Sequence, residues 1–400
     1  MPYLEAAARL GVDVLVASTS KHALTSALAE GLRIDLHSED AAVQHILDAD
    51  AERPFHGIVA TDDSVVGLTA RAAYSLGLPH NPPGPARLTQ RKDLARARLQ
   101  HAGLPVPAHR RLDLLQPLSP QMTGLAFPCV AKPIALSGSR GVIRADDPSA
   151  LGRACARIRP LVAAHPDPEV RRFVLVEDYL PGGEVAVEGM LHQGQLDVLA
   201  LFDKPEPLEG PYFEESYYIT PSRLPAATQA RIARRTAEAC AAYGLRHGPI
   251  HAELRLHDDE AWILEIAART IGGQCARLLR HGTGFGLEEL MIAQAIGRPL
   301  PTRPAADAAG VLMIPIPRAG LLRRVEGLGA ARRVPYIEDL IISVRDGYEL
   351  VPLPEGEAYL GFIFARGPNP AAVEAALREA HDCLNIVTAP LWRPTTGARA

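Results

Sequence analysis

The chain has 400 residues, 47% hydrophobic and 22% charged, enough for two or three domains with substantial cores. A formal net charge of −4, a pI near 6.4 and the lack of a basic tail give no electrostatic reason to expect nucleic acid. No apolar run approaches the ~20 residues of a membrane helix, the start Met1-Pro-Tyr-Leu-Glu5 lacks the layout of a signal peptide, and five scattered cysteines without a CxxC pair argue against a disulfide framework or a zinc site.

A cytoplasmic chain without nucleic-acid or membrane partners is therefore expected. It opens on a helix-like segment, residues 3–10. Short apolar runs at 12–18, 34–37 and 57–61 then alternate with helical patterns at 24–32, 41–51 and 64–76, a rhythm that predicts parallel βα units. The strand that would precede the first helix of a doubly wound half-domain is missing, so either this sheet is one strand short or the natural chain starts upstream of Met1. Prolines at 79, 82, 83 and 85 place a boundary there, because proline stops a helix and biases its predecessor to extended backbone. An amphipathic helix is predicted over 87–102, followed by a mixed αβ region. After a second Pro-rich linker at 298–304 come strands at 310–316, 341–344 and 361–365 and a helix over 370–380. The fold class expected is α/β, with a Rossmann-like parallel βα domain over 1–85, a central region over 86–300 made of two α+β subdomains, and a C-terminal α+β domain over 305–400.

Only four of the 42 basic Lys and Arg side chains are lysine: Lys21, Lys92, Lys132 and Lys204. Where arginine serves as the generic cation, a surviving lysine invites a reason, and a compact ammonium fits among phosphate oxygens where a planar guanidinium is too wide. Lys21 reads as an exposed surface residue. Lys132 ends the apolar run 127–132 and precedes Ser137-Gly138-Ser139-Arg140-Gly141, a loop that lets backbone N–H groups approach phosphate oxygens. No GxxxxGK[ST] and no GxGxxG after a strand occur. Residues 173–180 form an apolar strand running into Pro181-Gly-Gly-Glu184, whose backbone around Glu177, Tyr179 and Leu180 could meet an adenine edge, with Glu184 accepting from ribose hydroxyls.

The strongest local geometry lies at 249–269. Two strands flank His257-Asp-Asp-Glu260, and a hairpin centred on Asp259 sets Glu253 opposite Glu265, His251 opposite Ala267 and Arg255 opposite Ile263. Glu253, Glu265 and Arg269 then share one face, and Leu254, Leu256, Trp262, Leu264 and Ile266 point into a core. Two facing carboxylates about 5 Å apart destabilise a sheet unless compensated, the repulsion being roughly 3 kcal/mol at an effective dielectric of 20. Either a divalent cation such as Mg²⁺, which takes one or two carboxylates and fills its shell with water and phosphate, or a bridge from Arg255 or Arg269 would balance them. The lysines and the Gly-rich loop favour the cation.

As an ordered set, Arg91-Lys92-Asp93, Lys132 with its Ser/Gly loop, Glu177-Asp-Tyr-Leu with Glu184, and Glu253 and Glu265 leading into Arg269-Thr-Ile-Gly-Gly273 resemble the ATP-grasp superfamily over about residues 1–300. Phe202-Asp-Lys-Pro, the stretch 210–215, Pro221-Ser222 and the C-terminal region are most similar to the L-amino acid ligases and their carnosine synthase relatives. The resemblance implies a central ATP-grasp domain and a carboxylate-amine ligase acting through an acyl phosphate on small-molecule carboxylate and amine substrates. It implies that Lys92 and Lys132 hold ATP phosphates, the loop Ser137, Gly138, Ser139, Arg140 and Gly141 closes over them, and Glu177, Tyr179, Leu180 and Glu184 bind the nucleoside. Glu253 and Glu265 would carry Mg²⁺, for which Mn²⁺ could substitute, and Arg269 would stabilise the transferring phosphoryl group. Gly272, Gly273, Glu215 and His251 would face substrate. The Asn that the family usually carries two residues after the second metal Glu is Ala267 here, which opens the number of metal ions and makes a non-catalytic ATP-binding regulator the rival from another class. Biotin carboxylases and purine-pathway ligases are the rivals among enzymes. Oligomeric state is open, a homodimer included.

Overall fold

A computed structural model describes residues 2–19, 29–272, 274–279, 284–302 and 307–391. The chain divides into two compact units, Met1–Val106 with Val185–Phe202 and Leu224–Ala306, and Pro107–Glu184 with Asp203–Arg223 and Asp307–Ala400. Among the described residues no helix is long and apolar enough to cross a membrane.

The first unit begins with the helix Pro2–Leu10 and the parallel strands Leu15–Ser18 and Glu30–Arg33, flanked by the helices Glu39–Glu52 and Val66–Ser75. The parallel βα character expected of this region is present, with two shifts. The second strand lies at Glu30–Arg33 rather than 34–37, so the end of the expected helix 24–32 is strand; residues 20–28 lie outside the described residues, Lys21 among them. Residues 57–61 join no ladder. Gly57 runs so close to the backbone of Ala295 that a Cβ would lie 2.5 Å from its carbonyl oxygen, so this stretch packs on a neighbouring chain segment instead of pairing as a strand. The single helix expected over 87–102 is two, Pro83–Leu88 and Lys92–His101, because the Thr89 hydroxyl donates to the Ala86 carbonyl and closes the first helix.

The rest of this unit is an antiparallel sheet in the order Glu260–Ala267, Gly248–His257, Gly183–His192 and Gln195–Lys204, the last two strands being where the chain crosses between the units. The helix Ala226–Tyr243 covers it. Ile232, Ala239, Cys240 and Tyr243 meet Val187, Leu191, Ile250, Leu254 and Ile263 in one core. Gly244, in the left-handed conformation at φ 82°, ends that helix as a residue without a Cβ can.

The second unit holds an antiparallel sheet in the order His109–Asp113, Phe173–Asp178, Cys129–Pro133 and Ile143–Ala145. The helix Pro148–Val162 packs on it through Leu151, Ala154, Ile158 and Val162; Asp147 caps it by accepting from the Ala150 N–H, with proline at the first position. Tyr217–Thr220, Ala308–Ile314, Gly361–Gly367 and Ile337–Ile342 pair in that order, under the helix Pro370–Asp382 capped by Asn369. The strand expected at 341–344 thus starts and ends earlier, and the strands Gly320–Glu326, Glu349–Leu350 and Asn385–Ala389 add a small sheet that was not foreseen.

Candidate active site

In the first unit the carboxylate hairpin turns through Asp258 and Asp259, both with positive φ (49° and 59°), and pairs His257 with Glu260. This is a two-residue turn, tighter than one centred on Asp259, and aspartate is one of the few side chains that tolerate it. Leu254 therefore faces Ile263, and Arg255 faces Trp262 instead of Ile263. A bulge then leaves Leu264 out of the register, and beyond it Glu253 faces Glu265 and His251 faces Ala267 as expected. The extra residue reverses the parity of the second strand: Ala261 and Ile263 are fully buried, whereas Trp262 and Leu264, expected in the core, are half-buried.

The bulge also fixes who compensates the acids. Arg96, buried on the helix Lys92–His101, donates to the carbonyls of Ile263 at 2.5 Å and Leu264 at 3.0 Å. Lys92 lies one turn earlier on the same face, which sets its Nζ 2.5 Å from Glu265 Oε2. Glu253 is met at 3.5 Å by His251 Nε2, whose Nδ1 lies 3.1 Å from Oε2 of the fully buried Glu188. Glu188 also accepts the Ile271 N–H at 3.1 Å. Burial works against a charged imidazole, but the hydrogen bonds to Glu188 and Glu253 outweigh it and hold His251 above the usual histidine range. Arg269 is held by Asp63 Oδ2 at 2.7 Å and by the Thr270 carbonyl at 2.8 Å; burial works against its charge, and the hydrogen bond and charge of Asp63 together with the charges of Glu265 and Glu188 outweigh it. Of the two arginines the sequence allowed as a bridge, Arg255 and Arg269, the latter is bound to Asp63, while Lys92 meets Glu265 and His251 meets Glu253. Gly272 is exposed, with open space where a Cβ would stand, and Gly273 lies outside the described residues.

In the second unit Lys132 and Glu177 stand diagonally on neighbouring strands, where Val130 pairs with Glu177 and Lys132 with Leu175. Their side chains meet at 2.5 Å, both largely buried. Gly138, Ser139 and Gly141 all have positive φ, and a Cβ on Gly141 would lie 2.8 Å from Pro133 Cγ, so the loop needs glycine at that position. The Gly141 N–H donates to the Pro354 carbonyl at 2.9 Å, and Arg140 meets Glu357 at 3.0 Å. Past the strand, the Asp178 and Tyr179 N–H groups bond the carbonyls of Ala108 and Pro128. Tyr179 joins Val130, Val142, Leu208 and Phe213 in a small apolar cluster, with the Arg144 guanidinium 4.4 Å from its ring centre.

Glu184 and Glu215 meet on one cation. Lys204 Nζ lies 2.7 Å from Glu184 and 2.6 Å from Glu215, whose other oxygen accepts from the Tyr218 hydroxyl at 2.7 Å. Sequence reasoning gave these two acids to ribose and to substrate and missed their common partner. The signal was available, since Lys204 is the fourth lysine of an arginine-rich chain and ends an apolar strand. Arg96, Asp63 and Glu188 carried no comparable signal.

The donor chemistry of the hairpin suits Mg²⁺: two hard carboxylates face each other across adjacent strands, partly exposed at 24% and 32%. An ATP-grasp domain model matches residues 125–277, an ATP-grasp N-terminal domain model residues 4–80, and a model of L-amino acid ligase C-terminal domain 2 residues 312–389. The chain belongs to the ATP-grasp superfamily.

Within that superfamily it resembles the L-amino acid ligases and carnosine synthase. It is 30% identical to carnosine synthase 1 of Gallus gallus over 334 residues, 78% of this chain and 36% of that protein. It is 23% identical to alanine–anticapsin ligase of Bacillus subtilis over 270 residues, 64% of this chain and 57% of that one. The chain therefore spans about a third to a little over half of the length of these two relatives. The crystal structure of an L-amino acid ligase from Bacillus licheniformis superposes with a TM-score of 0.81 at 28% identity, covering 97% of this chain and 96% of that one. N5-carboxyaminoimidazole ribonucleotide synthetase from Thermotoga maritima, 16% identical with a TM-score of 0.69 over 97% and 96% of the two chains, shares the fold.

Proposed function

We propose that this chain is an ATP- and Mg²⁺-dependent ligase that joins a carboxylate, an amino acid, to an amine. The observation that carries the proposal is the facing pair Glu253 and Glu265, balanced by Lys92 and His251, in a chain of this superfamily. Two carboxylates that face each other on adjacent strands are a donor pair for a divalent ion, and phosphoryl transfer is the chemistry that needs one.

In this reading Glu253 and Glu265 would hold Mg²⁺, which would neutralise charge on the phosphates of ATP. Lys132 and the loop around Gly138 and Gly141 orient the phosphates, with Lys92 contributing a further cation. Tyr179, Leu180 and the apolar cluster around Phe213 receive the adenine. A substrate carboxylate oxygen attacks the γ-phosphorus, the bond to ADP breaks, and an acyl phosphate forms. The amine nitrogen then attacks the acyl carbon, loses a proton and expels phosphate. Arg269 faces the charge that develops in these steps, a preorganised electrostatic contribution worth several kcal/mol. Its ion pair with Asp63 fixes its direction beforehand.

Purified protein incubated with Mg-ATP and pairs of amino acids, read by ADP release and mass spectrometry with bicarbonate as control, tests the proposal. ADP formed only with an amino-acid pair, and a product of their summed mass less water, is the expected result. Ala267 favours one other reading, a non-catalytic nucleotide-binding regulator. Calorimetry that shows Mg-ATP binding without ADP formation across a broad panel would replace the ligase with it.

A further inference from the structure

Glu188 has no role in the chemistry above, yet it is a carboxylate with no exposed surface in the middle of the strand Gly183–His192, between the core residues Val187 and Leu191. Burying such a group is costly unless its oxygens are bonded. Both are. Its two oxygens lie 3.1 Å from the Ile271 N–H, and Oε2 is also 3.1 Å from His251 Nδ1. Ile271 belongs to the segment that follows Arg269, and the far nitrogen of His251 meets Glu253. One buried carboxylate thus ties together the imidazole behind an acid of the hairpin and the backbone of the segment expected to face substrate.

We propose that Glu188 is a positioning residue that orients His251 toward Glu253 and anchors the backbone after Arg269. Holding Nδ1 leaves only Nε2 to face Glu253, and a ring so fixed cannot turn away. Across the hairpin from His251 stands Ala267, which offers no polar side-chain atom, so side-chain polar support at this pair of positions comes from His251. The inference rests on the metal assignment of Glu253 and Glu265 proposed above.

The test is the affinity of the full chain for Mn²⁺ in the presence of ADP, followed by the electron paramagnetic resonance of free Mn²⁺. Variants E188Q, H251Q and the double variant are compared, with E265Q as control and near-ultraviolet circular dichroism to establish folding. E188Q keeps an acceptor for the Ile271 N–H and replaces one of the two carboxylate oxygens behind the imidazole with an amide NH₂. Removing support behind a metal ligand costs about 10- to 100-fold in affinity. E188Q and H251Q should each show that loss, and the double variant should fall within about twofold of the weaker single variant, since the two act in series. If E188Q does not fold, H251Q, which leaves Glu188 and its bond to Ile271 in place, carries the same expectation. A folded E188Q that binds Mn²⁺ as tightly as the native chain, or losses that multiply in the double variant, would overturn the inference while a disabled E265Q leaves the metal assignment standing. A native chain that binds no Mn²⁺, or an E265Q that binds it normally, overturns both.

Discussion

Replacing Lys204 by methionine is the sharpest test of how the second unit is held together. Its ammonium is 2% exposed and lies 2.7 Å from Glu184 and 2.6 Å from Glu215, themselves 6% and 16% exposed. Methionine fills much of the same volume but takes away the ammonium that the two carboxylates share. Removing one partner of a buried ion pair costs about 3–5 kcal/mol, most of it the penalty of the charge left behind. For a unit of this size each kcal/mol lowers the melting temperature by about 2–4 °C, so a drop on the order of 10 °C is expected. Thermal melting of K204M followed by circular dichroism measures it. The double variant K204M/E215Q, which removes one of the stranded charges, should recover a large part of the loss. A K204M protein that melts with the native chain, or a double variant less stable than the single one, would refute the idea that the cluster is balanced by charge.

E265Q should lose ADP formation while keeping its fold, because it removes half of the facing acid pair; normal turnover in that variant, measured by coupled ADP release, would contradict the metal assignment. K132R should also fail despite the retained charge, since a planar guanidinium does not fit the space beside Glu177 that an ammonium occupies at 2.5 Å, and a loss of at least about 100-fold in turnover is expected. Burial beside Asn81 holds His80 below the usual histidine range. A histidine whose folded pKa is depressed contributes stability above its unfolded value near 6.5 that is lost as pH falls below it. Melting temperatures measured from pH 7.5 down to pH 5 should therefore fall more steeply for the native chain than for H80N, and parallel curves would show that His80 stays solvated.

Much of the site was legible because its signals are local. Strand alternation around a polar turn was enough to set Glu253 against Glu265, and a lysine before a Ser/Gly loop marked the strand Cys129–Pro133 and the turn after it. Yet the pairing of the acids emerged from two offsetting errors. The turn is tighter than assumed by one position, and the bulge at Leu264 restores the register. Nothing in the local pattern announces a bulge, and the cost of missing it was the wrong side for Trp262 and Leu264. The break between the helices Pro83–Leu88 and Lys92–His101 was hidden for a similar reason, since one hydroxyl bonding back to a carbonyl leaves the apolar periodicity intact.

What the amino-acid order determined by itself is what depends on neighbours along the chain: the α/β class, the facing acids, the glycines that a positive φ demands, and the family those features define in combination. Tertiary structure alone decided which charges meet. Lys92 reaches Glu265 across 173 residues because Arg96 seats its helix on the carbonyls of a bulge, Glu188 stands behind His251 from a separate strand, and Lys204 draws Glu184 and Glu215 to one point. An ion pair is chosen by packing, in which apolar burial fixes where the backbones lie and each buried charge must then find its partner among whatever residues that packing brings within reach.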